Sequence, residues 1–438
     1  MRRITVVLVG VLVLIGCNGE GEEPTTSTEP GSTTVASSST TAGTTSSTEA
    51  PSSTTTAATT TTAATTTTAV ATTTTTVPVR LVTEDPNLPP ALGGHLVDWS
   101  AVGPGWILAL YDASDIVTAT TRPTVLYLVS PAGDRFEVAS WPSGPYEIVD
   151  WAGTGDAAMV LNGGGAAIVD LRTGTETATI ALPTDWDWSA SPATFTSPTG
   201  TNVVVLTDDG TTQRVERRTR SGSVLAVLGE QATPTNLRHG LAWLYGHDGT
   251  FVLIRHAGGI EYVQNDGTFV RDLWTPMGHI CTPVRWWDAD TFVAACAGEG
   301  SAFPHDYYSQ VWLLETDGTA GNHLTTIPPG PIDVVDFGHS DAWQIPGQTF
   351  AQWTGDCGSA AVHDVASDGS FTSVVGANSR FIEIDASEMV IQRWVACDGS
   401  EGRLIRTDFS GAETAELIPL VGDAWGVRDS DSLATVYP

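Results

Sequence analysis

The stretch AAIVDLRTGTETATI, residues Ala166–Ile180, decides the fold. It reads as two short strands folded back on a polar turn that contains Gly174. Variants of it recur along the chain: LYLVSPAGDRFEVAS around Gly133, RVERRTRSGSVLAVL around Gly222 and EYVQNDGTFVRDL around Gly267. VWLLETDGTAGNHLT around Gly318, AVHDVASDGSFTSVV around Gly369 and RLIRTDFSGAETAEL around Gly411 complete the set. The seven turn glycines lie 41, 48, 45, 51, 51 and 42 residues apart. A repeat of that period, built of strands and tight turns, is the mark of propeller blades, and the expected fold class is all-β.

Between these outer hairpins lie inner hairpins with apolar second strands. Those strands are Trp106–Leu110, Ala157–Leu161, Val203–Leu206, Phe251–Ile254, Phe292–Ala295, Thr349–Ala351, Met389–Ile391 and Leu433–Val436. Eight inner hairpins face seven outer ones. The orphan Val79–Asp85, VRLVTED, resembles Arg403–Asp408, and pairing it with the last hairpin closes a ring of eight four-stranded blades. Seven is the alternative, with the terminal hairpin as a cap. No run of 3.6-residue periodicity predicts helix.

The ends of the chain set the address. Residues 1–17 carry Arg2 and Arg3, an apolar run Ile4–Ile15 and then Gly16-Cys17. The run has signal-peptide length and is short for a membrane span. Leu14-Ile15-Gly16-Cys17 resembles the lipobox of bacterial lipoproteins, which implies diacylation of Cys17 and a lipid anchor facing outside the cell. Residues 18–78 are mostly Thr, Ser and Ala and cannot bury enough apolar area to offset ordering entropy, which predicts a disordered stalk. As a flexible coil it spans roughly 45 Å. Residues 79–438 form the propeller domain. All 19 basic residues are Arg against 50 acids, for a net charge of −31. Removal of Arg2 and Arg3 leaves 17 Arg, a net of −33. Such a surface repels nucleic acid and anionic lipid, so the membrane is met only through the anchor.

Aspartate and tryptophan recur near blade starts, at Asp98-Trp99, Asp150-Trp151, Trp286-Trp287 and Trp425. The repeats are similar to TolB-type propellers, whose blades carry a Trp-Ser-Pro-Asp-Gly turn before an apolar strand. Asp429-Ser430-Asp431-Ser432-Leu433-Ala434 comes nearest to that turn, and Ser197-Pro198-Thr199-Gly200 matches in part. The resemblance implies architecture and transfers no function. Most of these tryptophans are expected to pack between blades.

Four cysteines fall in the folded part, and export favours disulfides. Of the three possible connectivities, the expected one is Cys281–Cys296, which bracket one inner hairpin symmetrically about Asp288-Ala289, with Cys357–Cys397, which end the second strands of successive blades after Trp353 and Trp394. The Asp-Gly turns at Asp266, Asp317 and Asp368 suit hairpin geometry, not calcium, which needs six or more converging oxygens. Within each blade the short turns share one face of the disc. The long connections, Asp112–Pro123, Pro183–Pro192, Gly229–His239, Leu273–Pro283 and Ala297–Ser309, share the other. Variable loops on a rigid scaffold carry function, so that face is the expected binding face. It holds Trp186, Trp188, Trp274, His305, Asp306, Tyr307 and Tyr308, and aromatics beside carboxylates suit sugars, peptides or cations.

Catalytic signatures are absent. No turn completes a sialidase box, the repeats lack the terminal Trp of quinone-dependent dehydrogenases, and there is no Gly-x-Ser-x-Gly elbow. The nine His show no metal-ligand spacing. The sequence thus points to a propeller that recognises a glycan, peptide or protein without catalysis, cofactor or metal. The alternatives are a hydrolase or lyase with a central-channel site, using His305 and Asp306, and an envelope assembly scaffold.

Overall fold

The computed structural model describes residues 85–163, 165–183, 191–234, 240–298, 308–326, 336–355, 360–385, 387–395 and 399–433. The chain forms seven radially arranged sheets. Blade II runs β5 (Glu147–Trp151), β6 (Ala157–Leu161), β7 (Ala166–Asp170) and β8 (Thr175–Ile180) from the inside outward. Blade III is β9 (Ala193–Phe195), β10 (Asn202–Asp208), β11 (Thr212–Thr219) and β12 (Val224–Ala232). Blade IV is β13 (Ala242–Tyr245), β14 (Phe251–His256), β15 (Gly259–Gln264) and β16 (Phe269–Leu273). Blade V is β17 (His279–Trp286), β18 (Thr291–Gly298), β19 (Gln310–Glu315) and β20 (Asn322–His323). Blade VI is β21 (Asp336–Ile345), β22 (Gln348–Gly355), β23 (Ala361–Val365) and β24 (Phe371–Val375). Blade VII is β25 (Ser379–Ile384), β26 (Glu388–Arg393), β27 (Arg403–Asp408) and β28 (Glu413–Ile418).

Blade I corrects the count of eight. Its inner strand is the last of the chain, β29 (Ala424–Ser432), antiparallel to β2 (Ile107–Asp115) with Ile107 opposite Ser432. β3 (Thr124–Val129) and β4 (Arg135–Trp141) complete the blade, and a two-residue strand, β1 (Leu92–Gly93), adds a parallel edge to β4. The sequence offers what look like two inner hairpins, one at each end of the domain. They are two halves of one. Asp98-Trp99 sits in a turn, not a strand, and Leu433 has already left β29. The innermost place beside β2 therefore goes to β29, and the described residues form seven blades with no eighth. Of Val79–Asp85 only Asp85 is described; Cys17 and the stalk lie outside the described residues.

Burial peaks in the middle strands, which neighbouring blades cover on both faces, and falls off toward both hub and rim: innermost β5 buries one of its five residues, β6 and β7 four of five each. All six residues of β3 are buried, whereas β16 exposes four of its five. All seven turn glycines named from the sequence have positive φ, from +67° at Gly174 to +93° at Gly222. Gly174 answers a second demand: a Cβ there would collide with the carbonyl oxygen of Val138 on blade I. Gly411 meets Val374 of blade VI in the same way. The repeated glycine is thus both a turn residue and a point where one blade's hairpin lies on the next blade's backbone.

Side chains near the hub tie each blade to its neighbour. The Ile148 N–H donates to Asp429 Oδ2 at 2.7 Å, and the Phe195 N–H donates to Asp150. Trp243 Nε1 donates to Thr194 Oγ1 and Trp286 Nε1 to the Tyr245 carbonyl, both at 2.8 Å. Arg285 Nε reaches Asp341 Oδ1, the Phe381 N–H reaches Gln352 Oε1, and Arg380 Nη1 reaches Asp429 Oδ1, each at 2.7 Å. Every junction around the ring is bridged.

Candidate functional site in the central channel

Five inner strands carry a β-bulge, and each bulge falls beside a charged residue. The register skips at Ile148/Asp150 in β5, Pro283/Arg285 in β17 and His339/Asp341 in β21. It skips again at Phe381/Glu383 in β25, and β29 skips between Asp429 and Val427. The other two inner strands, β9 and β13, have no bulge and no charged residue. A bulge places an extra residue on one strand and re-aims the side chains beyond it. Beside these bulges Arg285, Asp341 and Glu383 line one cleft, while Asp150 and Asp429 bond the neighbouring blades.

That cleft, of about 400 Å³, runs along the channel wall formed by blades V, VI, VII and I. Arg285, Asp341, Arg380, Glu383 and Asp431 are its charged lining; Trp287, Trp343, Phe381 and Trp394 are aromatic walls. It extends from Ser379 and Trp394, at the long-connection ends of their strands, to Trp287 and Ser432 at the short-turn ends.

Two ion pairs in this wall are fixed. Arg285 holds Asp341 at 2.7 Å and lays its guanidinium over Trp343, 4.3 Å from the ring centre. Trp343 in turn stacks on Phe381 with centroids 3.8 Å apart. Arg380 holds Asp429, whose other oxygen takes the Ile148 N–H. Two acids lack such a partner. Asp431 Oδ1 accepts the Ser432 N–H at 2.9 Å, and no guanidinium stands within ion-pair distance of it or of Glu383 among the described residues. Glu383 is only 8% exposed.

Burial dominates the titration of this ring. It pushes Asp431 up to about 6, with Arg380 opposing and Asp429 and Glu383 adding to the rise. Burial also raises Glu383, and it raises Asp341 even against Arg285. Asp150, facing Asp431 from blade II, is raised by burial first and by Asp431 second. Burial works against the charge of Arg380, but Asp429 and Asp431 hold its net shift upward. Desolvation penalises the charged form of each acid, and like charges across the hub reinforce it.

The residues named from the sequence lie elsewhere. Trp186, Trp188, His305, Asp306 and Tyr307 fall outside the described residues, as do Cys357 and Cys397. Tyr308 is buried edge-on to Trp353, 5.3 Å between centroids. Trp274 is half-buried against Trp312 at 5.9 Å. Neither borders the cleft. The Cys281–Cys296 bridge is formed across directly opposed residues of β17 and β18. The Asp-Gly turns behave as hairpin chemistry: Asp266, Asp317 and Asp368 each accept the N–H two residues on. Of the TolB-like stretches, Ser197–Gly200 forms the β9–β10 turn, whereas Asp429–Ser432 is strand, lining the channel. In the sequence the channel's charged residues stand just before Trp or another apolar residue, as in Asp150-Trp151, Arg285-Trp286, Asp341-Ala342-Trp343 and Glu383-Ile384, a placement that does not set them apart from ordinary strand polar residues.

Two other polar clusters stand apart. His256, Glu261 and Asp272 can each bring one ligand atom within 4.8 Å of the others. His256 Nδ1 accepts the Gly258 N–H at 3.0 Å, so the neutral ring carries its proton on Nε2, toward Glu261 Oε1 at 3.5 Å. Among the described residues Nε2 makes no hydrogen bond. His339 and His363 share a hydrogen bond of 3.0 Å inside blade VI, against Trp353 and Phe371.

The chain matches no protein-family model and no curated protein sequence. It is similar to solved propeller structures at low identity. One is a dihydro-heme d1 dehydrogenase, NirN, 11% identical, with 75% of each chain covered and a TM-score of 0.43. Another is a prolyl endopeptidase, 11% identical, covering 77% of this chain and 50% of that one, TM-score 0.45. A third is a Mycobacterium tuberculosis puromycin-hydrolysing peptidase, 11% identical, covering 77% and 56%, TM-score 0.44.

Proposed function

We propose that this chain is an exported recognition module, tethered by lipid at Cys17, that takes a glycan, peptide or protein group into its central channel without turning it over. One observation carries the reading. The cleft pairs aromatic walls with charged groups that are already positioned, three of them locked in ion pairs and two acids, Glu383 and Asp431, outside any ion pair among the described residues. A pocket of about 300–1,000 Å³ with apolar lining and a few convergent polar groups is the usual form of a ligand site. The lipobox-like end and the long polar stalk support a tether that holds such a site away from the membrane. Calorimetry of the full chain against cell-wall glycans and peptides tests the first part. Binding without product, weakened by Trp343→Ala, is the expected result; binding unaffected by any cleft substitution would remove it. Release of Cys17→Ser protein into the medium tests the tether.

A second reading rests on a different property of the same residues. Asp431 and Glu383 are acids held toward their protonated forms, the state general acid catalysis needs near neutral pH. Turnover of a wall glycan or peptide, abolished by Asp431→Asn with binding retained, would make the protein a hydrolase or lyase.

A further inference from the structure

Resting on the recognition reading, we infer that the cleft receives a cation: the ammonium or guanidinium of a basic peptide side chain, lodged between Asp431 and Glu383.

The charges around the hub favour that class. Arg285 is committed to Asp341 and Arg380 to Asp429, each at 2.7 Å. The groups left without a guanidinium in ion-pair contact among the described residues are acidic: Glu383 and Asp431 in the cleft wall, with Asp150 of blade II close enough for Asp431 to raise it. An anion entering here would have to displace a carboxylate from a guanidinium and then face two more carboxylates. A cation displaces nothing. Glu383 is more than nine-tenths buried, and burial outweighs the opposing Ser432 hydrogen bond and the charge of Arg285, so it carries a net desolvation cost that a bound cation would relieve. The walls suit the rest of such a side chain. Ala342, Phe381 and Ile384 offer apolar surface to an alkyl stem, and Trp287 and Trp394 stand half-buried at the two ends. At about 400 Å³ the space admits one long side chain and its backbone, not an extended polymer.

Binding and protonation are then linked. A cation between the acids favours their ionised forms, so affinity rises as Asp431 deprotonates. The groups facing Asp431 are Arg380 and Glu383 on β25, Asp429 on its own strand and Asp150 on β5. Of these, Arg380 alone is basic, and it is engaged. One proton released around pH 6 gives about a tenfold gain in affinity from pH 5 to pH 7.

The test uses the full chain and calorimetry with Nα-acetyl-arginine amide and Nα-acetyl-lysine amide. Nα-acetyl-norleucine amide is the uncharged control, and a tetramer of N-acetylglucosamine is the neutral glycan. The expected result is binding of both cations, at least about tenfold tighter than norleucine, with the stated rise with pH. Asp431→Asn should remove about tenfold of that affinity and flatten the pH profile. Glu383→Gln, in a protein shown folded by circular dichroism, serves if the first variant does not fold. Equal binding of norleucine, an affinity that falls with pH, no cation binding, or cations bound unchanged by both variants would each overturn the inference. If the glycan tetramer binds and Trp343→Ala weakens it while the cations do not bind, the recognition reading survives and the cation inference fails. If neither cations nor glycans and peptides bind, both fall.

Discussion

Asp431 shows what a binding residue costs its fold. Its pKa in the folded chain, about 6, lies above the ordinary 3.8, with burial the main cause. Folding therefore favours the protonated form: that stabilisation is whole below pH 4 and is lost as pH rises through 6. Asp431→Asn keeps a neutral group at every pH. Its unfolding free energy from denaturant titration should exceed that of the parent at pH 8, by roughly 1–2 kcal/mol once solvent in the channel is allowed for, and converge with it near pH 4. The same variant should bind worse, the usual conflict between stability and function. A variant less stable than the parent at pH 8 would refute the reading of the site as a strained acid cluster. The His339–His363 pair has the opposite sign. Burial lowers His339 to about 3, with His363 adding to the effect, and burial lowers His363 to about 4. Both are neutral in the fold, while the unfolded chain takes up protons near 6.5. Their stabilisation is complete above pH 6.5 and is lost as pH falls toward 4. A urea midpoint that drops across that window, and drops less in a His339→Gln/His363→Gln variant, is the expected outcome. Equal slopes in the two proteins would count against it.

At the scale of elements, the bulge is what converts a repeat into a site. A regular inner strand alternates between two neighbouring blades and would leave the hub to backbone and small side chains. Five bulges interrupt that alternation, and the charged residues beside them either line the channel cleft or bond the next blade. This explains what the sequence could and could not disclose. The outer hairpins are legible because their glycines answer to local backbone geometry, and Gly133, Gly174, Gly222, Gly267, Gly318, Gly369 and Gly411 all take the left-handed conformation. The second strands are legible because burial on both faces makes them continuously apolar, as AAMVL in β6. The bulges are not, because a one-residue slip has no compositional mark, so Asp341 and Glu383 read as ordinary strand polar residues. The cysteine spacing around Asp288-Ala289 does predict the β17–β18 bridge, since a symmetric hairpin fixes its own partners. That bridge closes a loop with a sequence separation of 15. By the chain-entropy account, Cys281→Ser/Cys296→Ser should lower unfolding stability by about 3 kcal/mol, with the β17 bulge and Arg285 retained. A denaturation midpoint that is unchanged would mean the hairpin is held by its neighbours alone.

At the scale of the molecule, ring closure rather than blade number is the fact that the termini dictate. The reading of eight blades treats the two ends of the domain as separate hairpins to be zipped together, but the ends meet as strands of one sheet, with β29 innermost beside β2. β29 is also the strand that serves the site. Its Asp429 bonds blade II through Ile148 and blade VII through Arg380, and its Asp431 lines the cleft. Removing it would break two of the seven junctions, uncover buried residues of β2 such as Leu108 and Leu110, and leave a long unpaired edge open to association. A chain ending at residue 422 should therefore lose its cooperative unfolding transition or aggregate, even though every other blade is complete. A synthetic peptide of residues 424–433, added in trans, should restore part of the transition by refilling the edge. A truncated chain that unfolds cooperatively at the parent's midpoint would show that six blades and the remaining strands of blade I suffice, and that the hub is held by packing between neighbours, without need of the closing strand.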